Sequence, residues 1–304
     1  MANDWFIGPE DNHRLDREAG ALIYPVYSRR SKGLSVGINL FPDRKVCSFD
    51  CPYCEVFPFK TDTRFSLEAM ERGIRALADR VSASEVRDLS FSGNGEPTLS
   101  PDFPRALELA FRLRDELFPA ASLVLITNGS TLLDPGTFEL LRSAAAGARQ
   151  RSAETRRRPT EGLDVWLKVD AGTEAWFRKI DRSSVPFGAL TRTFLRFASQ
   201  APLTIQTMLC AIDGEVPGPR EAEAWQELVL SLVAASGAAP ATLVRRVHVY
   251  GKARPAPEDP LAQALPREYL EERAESLRRA LKALGYGNDD DPTEGSGVEV
   301  EVFP

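Results

Sequence analysis

The chain has 304 residues, 43% hydrophobic and 27% charged, with a formal net charge of -6. That length builds one large domain or two small ones around a substantial core, and the composition is that of an ordinary globular chain. The acid excess speaks against a nucleic-acid-binding surface as the main feature. No apolar run reaches the about 18 residues of a membrane span, and the opening MANDWFIGPEDNH lacks the basic-then-apolar order of a secretory leader. A cytoplasmic location is the expectation.

The elements follow a strand–helix rhythm. LSVGINL (34–40) reads as the first strand and SLEAMERGIRALADRV (66–81) as a helix with Ser66 as its N-cap. DLSFS (88–92) is the next strand, and PDFPRALELAFRLRDEL (101–117) an amphipathic helix with Pro101 in its first turn. SLVLIT (122–127) leads to a helix at 134–146, which starts at Asp134–Pro135. LDVWLKVD (163–170) precedes two helical stretches, 172–181 and 188–199. PLTIQTML (202–209), a helix at 220–236, and TLVRRVHVY (242–250) come next. A helix at 266–284 and a last strand, VEVEVF (298–303), close the chain. Six such alternations predict parallel strands with helical crossovers, either an open doubly wound sheet or a complete or partial β/α barrel.

In either architecture ligands gather beyond the C-terminal ends of the strands. The unusual residues sit there: CSFDCPYC (47–54), SGNGEPTLS (92–100), TNGS (127–130), LKVDAGT (167–173), the Gln206–Met208–Cys210 run and YGKARP (250–255). Two charged runs, RQRSAETRRRP (149–159) and GNDDDPTEG (287–295), read as solvated loops; the first is also a place where a polyanion would touch.

Cys47, Cys51 and Cys54 fall within eight residues, and the fourth cysteine, Cys210, lies far downstream. In a reducing compartment such a cluster binds metal more often than it forms disulfides. A closed zinc site takes four ligands from two knuckles. Here there is no second knuckle, and neither histidine, His13 or His248, has knuckle spacing. Three thiolates on a tight loop suit a four-iron cubane whose fourth iron stays open to a non-protein ligand.

The C-x3-C-x2-C pattern, with Tyr53 before the last cysteine, resembles the signature of the radical SAM superfamily. GNGEP (93–97) resembles the Gly-Gly-Glu region that follows the second strand there, with Gly93, Gly95 and Glu96 in the matching positions and Asn94 as a variation. The resemblance implies a [4Fe-4S] cluster on Cys47, Cys51 and Cys54, and S-adenosylmethionine chelating the open iron. It implies reductive formation of a 5′-deoxyadenosyl radical and a low-potential electron donor of the flavodoxin or ferredoxin type. It also implies an α/β fold of parallel strands, a partial (β/α)6 barrel with helices outside, over residues 34–304. A C-terminal helix and strand cap this domain, residues 1–33 form an N-terminal extension, and a basic insertion falls at about 147–162. Glycines allow close backbone approach and a carboxylate pairs with an ammonium, so Glu96 suits the methionine amino group.

By the same resemblance Asn128, Lys168 and Asp170 fall where ribose, carboxylate or substrate is met, and Gln206 and Met208 border the adenine. Each has a plainer alternative: Asp170 as an N-cap for the following helix, Met208 and Cys210 as core, His248 as a core histidine. Cys210 and Lys168 are also candidates for a catalytic part, and Arg29, Arg30 and Arg254 for anion contacts. From about residue 22 to the last strand the chain resembles the single-cluster branch related to the wyosine-type tRNA-modification enzymes. The expected activity is that of a radical SAM oxidoreductase or transferase on an unidentified substrate. A tRNA base modifier and a non-catalytic iron–sulfur carrier or sensor are the alternatives. The carrier would need a fourth ligand and no GNGEP loop.

Overall fold

The computed structural model describes residues 20–147, 162–239, 242–287 and 297–304. His13, both charged runs apart from Gly287, and most of the expected N-terminal extension and basic insertion lie outside them. The chain divides into two compact units, Met1–Cys47 with Val56–Thr127 and Gly147–Asp164, and Ser48–Glu55 with Asn128–Ala146 and Val165–Pro304.

In the first unit β1 (Ile23–Ser28) pairs antiparallel with β2 (Gly33–Asn39), and β2 pairs parallel with β3 (Val86–Ser92) after the crossover helix α1 (Leu67–Ala78). Helix α2 (Phe103–Leu117) then returns the chain to β4 (Ser122–Thr127), parallel to β3. Alternation along each strand decides what packs where. Val36, Ile38, Leu89, Phe91, Leu123 and Leu125 are in register and buried. Phe103, the first residue of α2, meets Phe91 edge-on at 5.4 Å between centroids. The opposite face carries Ser35, Asp88, Ser90 and Ser92 in register, and the Ser35 hydroxyl donates to buried Asp88 at 2.5 Å.

Strand β1 departs from the sequence reading, which placed the first strand at 34–40. Pro25 lies within it, and proline is tolerated because β1 ends the strand order. Ser66 caps α1 as expected, accepting from the Ala69 N–H at 3.1 Å. For α2 the first-turn proline is Pro104, since the helix begins at Phe103 with Asp102 as N-cap; Pro101 precedes it.

The second unit holds α3 (Pro135–Ala145), most of β5 (Leu163–Lys168), α4 (Glu174–Ile180) and α5 (Phe187–Ala198). It continues with β6 (Leu203–Ile212), α6 (Pro219–Ala235), β7 (Val244–Gly251), β8 (Ala262–Ala264), α7 (Arg267–Ala283) and β9 (Glu299–Phe303). Strands β5, β6, β7 and β9 are parallel neighbours in that order. All ten residues of β6 are buried, the near-continuous apolar pattern of a central parallel strand covered on both faces. Strand β8, which has no three-residue signal in the sequence, pairs antiparallel with the end of β6, setting Cys210 opposite Ala264. Among the described residues no helix is long and apolar enough to cross a membrane.

Candidate functional site

The stretch that leads into the cysteine loop is fixed by its main chain. Val46 forms a parallel bridge with Gly95: its N–H donates to the Asn94 carbonyl at 3.0 Å, and its carbonyl accepts from Glu96 N–H at 2.9 Å. Gly95 has φ +152 and lies so close that an added Cβ would stand 1.8 Å from the Val46 carbonyl oxygen. Only glycine fits. The Asn94 side chain is buried and donates to the Phe41 carbonyl at 3.1 Å, and its N–H donates to Asn39 Oδ1 at 3.2 Å. This residue therefore braces the chain ahead of Cys47.

Glu96 is 2% exposed, and its Oε1 accepts from the Thr98 N–H (3.2 Å), the Thr98 hydroxyl (2.5 Å) and the Thr127 hydroxyl (2.8 Å). Three donors thus converge on one buried carboxylate oxygen. The sequence pointed to Glu96; the two threonines that orient it carried no signal of their own.

In the second unit the loop 48–55 rests on three anchors. Ser48 is held by Ser130 (hydroxyls 2.6 Å apart) and by Asn128, whose Nδ2 donates to Ser48 Oγ at 3.1 Å and whose Oδ1 accepts from Ser130 N–H at 2.9 Å. Ser183 Oγ donates to the Ser48 carbonyl at 3.1 Å. Further along, the Asp50 N–H donates to the Asp181 carbonyl at 3.0 Å, and the Cys51 thiol lies 3.7 Å from Asp181 Oδ1. Tyr53 donates its hydroxyl to Asp170 Oδ2, whose other oxygen accepts from Met208 N–H at 3.0 Å.

Lys168 joins these anchors. Its ammonium is 2.8 Å from Asp170 Oδ2 and pairs with Asp181. It also stands 5.1 and 5.3 Å from the ring centroids of Phe49 and Tyr53. Burial works against the Lys168 charge, but Asp170 and Asp181 outweigh it and hold its pKa well above the usual value. Burial raises the Asp181 carboxyl while Lys168 opposes the shift. Burial raises the Cys51 thiol too, with Lys168 again opposing, and raises the Tyr53 phenol, with Asp170 adding to it.

The plainer alternative for Asp170, an N-cap, is not what the structure shows. Thr173 caps α4 by accepting from Trp176 N–H at 3.2 Å. Asp181, the C-cap of α4, was missed, because an aspartate closing a short helix has no distinctive local pattern. Gln206 lies in the sheet with its Nε2 2.6 Å from His248 Nδ1, and His248 Nε2 is 3.0 Å from Glu301. His248 is thus a core histidine. Met208 is core as well. Cys210 is fully buried, and its thiol is pushed to about 12, by burial first and then by Asp170. Arg254 pairs with Glu55 at 2.7 Å.

None of the four cysteines forms a disulfide; Cys47 is exposed, Cys51 and Cys54 are half-buried and Cys210 is buried. Three thiols on one loop fit a four-iron cluster in donor number and kind. Among the described residues no three His, Cys, Asp or Glu side chains converge as a metal-ready group. The fit is one of chemistry rather than of preformed geometry.

No protein-family model matches the chain. A UPF0026 protein of Helicobacter pylori (strain ATCC 700392 / 26695) is 33% identical over 121 residues, covering 39% of this chain and 38% of the relative. UPF0026 protein MJ1312 of Methanocaldococcus jannaschii is 36% identical over 113 residues, covering 36% of this chain and 33% of the relative. The chain thus spans between a third and two fifths of the length of these relatives. Among solved structures, Streptococcus suis SuiB bound to S-adenosylmethionine superposes with a TM-score of 0.57 at 13% identity, covering 88% of this chain and 50% of that one. A radical SAM methyltransferase from Sphaerobacter thermophilus superposes at 0.53 and 14% identity, covering 89% and 66%. At 13% and 14% identity these are likenesses of fold. The fold class is the α/β one expected from the sequence, mostly parallel strands with helices. Identities this low speak for the radical SAM fold and carry no substrate with them.

Proposed function

We propose that the chain is a radical SAM enzyme that holds a [4Fe-4S] cluster on Cys47, Cys51 and Cys54 and acts on an unidentified substrate. The observation that carries this reading is the bridge between Val46 and Gly95, which ties the residue before Cys47 to the residue before Glu96. The main chain just ahead of Cys47 and the Gly93–Glu96 turn are thereby held together within the first unit. When bound, the cluster and S-adenosylmethionine would supply one-electron cleavage of a sulfonium carbon–sulfur bond. A low-potential donor of the flavodoxin or ferredoxin type supplies the electron.

The chain's own residues bind and orient. Cys47, Cys51 and Cys54 offer thiolates; the buried Glu96 carboxylate suits an ammonium, and the 93–95 main chain allows close approach. Tyr53, Asn128 and Asp170 hold the cysteine loop through contacts within their own unit. Cys210, with its raised pKa, stays a thiol at neutral pH, the form a hydrogen donor needs. The wyosine-type branch is proposed on sequence likeness alone, because the basic run that would favour a tRNA substrate lies outside the described residues.

Anaerobic reconstitution tests the reading. The chain should take up about four iron, and reduction with S-adenosylmethionine should release 5′-deoxyadenosine or methylthioadenosine. A Cys47→Ala, Cys51→Ala, Cys54→Ala variant should hold no cluster, whereas Cys210→Ala should keep it. A full cluster in the triple variant would overturn the assignment.

A further inference from the structure

Two buried carboxylates grip the cysteine loop from different elements. Asp170, at the end of β5, accepts the Tyr53 hydroxyl; Asp181, closing α4, accepts the Asp50 N–H on its carbonyl and lies against the Cys51 thiol on its carboxylate. Their side chains are 0% and 3% exposed. Two such carboxylates side by side repel each other, and neither position is tenable without a neutralising partner. Lys168 is that partner. Its ammonium bonds both carboxylates and faces the rings of Phe49 and Tyr53, which belong to the same loop. A compact ammonium with three donors serves two carboxylates arriving from different directions better than a planar guanidinium does.

We infer that Lys168 is a positioning residue. It holds Asp170 and Asp181 in place, and they in turn set Tyr53 and Cys51. This rests on the radical SAM reading only for the purpose the loop serves, because the arrangement belongs to the metal-free chain and is tested there.

The four cysteines supply the readout. Timed alkylation of the metal-free full-length chain with iodoacetamide, read per residue by mass spectrometry, should label exposed Cys47 first and buried Cys210 last. Lys168→Met should speed labelling of half-buried Cys51 by at least about tenfold, release of the loop outweighing the lost stabilisation of the thiolate by Lys168, with Cys210 still protected. Lys168→Met combined with Asp181→Asn removes the cation and one carboxylate together, and should return Cys51 towards the wild-type rate. An unchanged Cys51 rate in Lys168→Met, above all with weakened S-adenosylmethionine binding after reconstitution, would overturn the inference. So would a double variant labelled as fast as the single one. If Lys168→Met also exposes Cys210, the double variant decides: slow Cys51 with protected Cys210 sustains the inference and fast Cys51 overturns it. A wild-type chain that takes up no iron yet shows this labelling pattern would remove the cluster and leave the role of Lys168 standing.

Discussion

Replacing Gly95 by alanine tests how the cysteine loop is held. The new Cβ would stand 1.8 Å from the Val46 carbonyl oxygen, against a practical minimum of 3.0 Å, so the two backbones must part by more than an ångström. Parting them breaks the hydrogen bonds on either side, Val46 N–H to Asn94 and Glu96 N–H to Val46. Each is worth about 0.5–1.5 kcal/mol. Holding a non-glycine residue in this part of φ space adds about 1–3 kcal/mol. The expected loss is therefore about 4 kcal/mol, measured by urea unfolding of the metal-free chain. Iron retained after anaerobic reconstitution should fall several-fold alongside it. Gly214→Ala is the control, since Gly214 has φ +73 with nothing within 4 Å of the added atom and should cost about 1–2 kcal/mol of strain alone. A Gly95→Ala chain no less stable than Gly214→Ala, with wild-type iron content, would refute the view that the 46–95 bridge positions the first cysteine.

Two further outcomes follow from charges that do not touch the thiols. Burial pushes the Asp88 carboxyl from 3.8 to about 6, with the Ser31 and Ser35 hydroxyls limiting the rise. A folded-state pKa above the unfolded one means the folded chain binds the extra proton, so this contribution is fully present below about pH 4 and lost as pH climbs through about 6. The gap of about two units is worth about 3 kcal/mol, and Asp88→Asn should lack that slope. Urea midpoints of the two chains at pH 4 to 8 check it, and parallel curves would count against the assignment. Arg254 and Glu55 are 21% and 30% exposed, and a pair so wet contributes about 0–1 kcal/mol; Arg254→Ala should leave the unfolding midpoint nearly unchanged.

The sequence disclosed whatever is written in local periodicity. All six strand–helix repeats were legible, because alternation along strands such as 88–92 and the 3.6-residue spacing of Met70, Ile74 and Leu77 are read over short windows. Strand β1 was hidden by Pro25, whose cost disappears only at the end of the strand order. The chemical motifs were equally local: three cysteines in eight residues and a glycine–glutamate turn. Their supports were not. Thr98, Thr127, Ser48 and Asp181 are common residues whose parts depend on partners brought close by folding. Asp170 shows the limit from the other side, since its strand-end position offered a cofactor contact or a helix cap, while the fold pairs it with Lys168 and Tyr53.

The reach of the Cys51 contact has a consequence for biosynthesis. Cys51 and its neighbour Asp181 are 130 residues apart in the chain, so a ribosome delivers the thiol long before the carboxylate beside it. At about 5–20 residues per second that delay is on the order of ten seconds. Through it the thiols of Cys47, Cys51 and Cys54 emerge without the frame that later sets them, open to stray metal and oxidant. On the proposed iron–sulfur reading, iron is best used once residue 181 has left the tunnel, which places cluster insertion late in maturation.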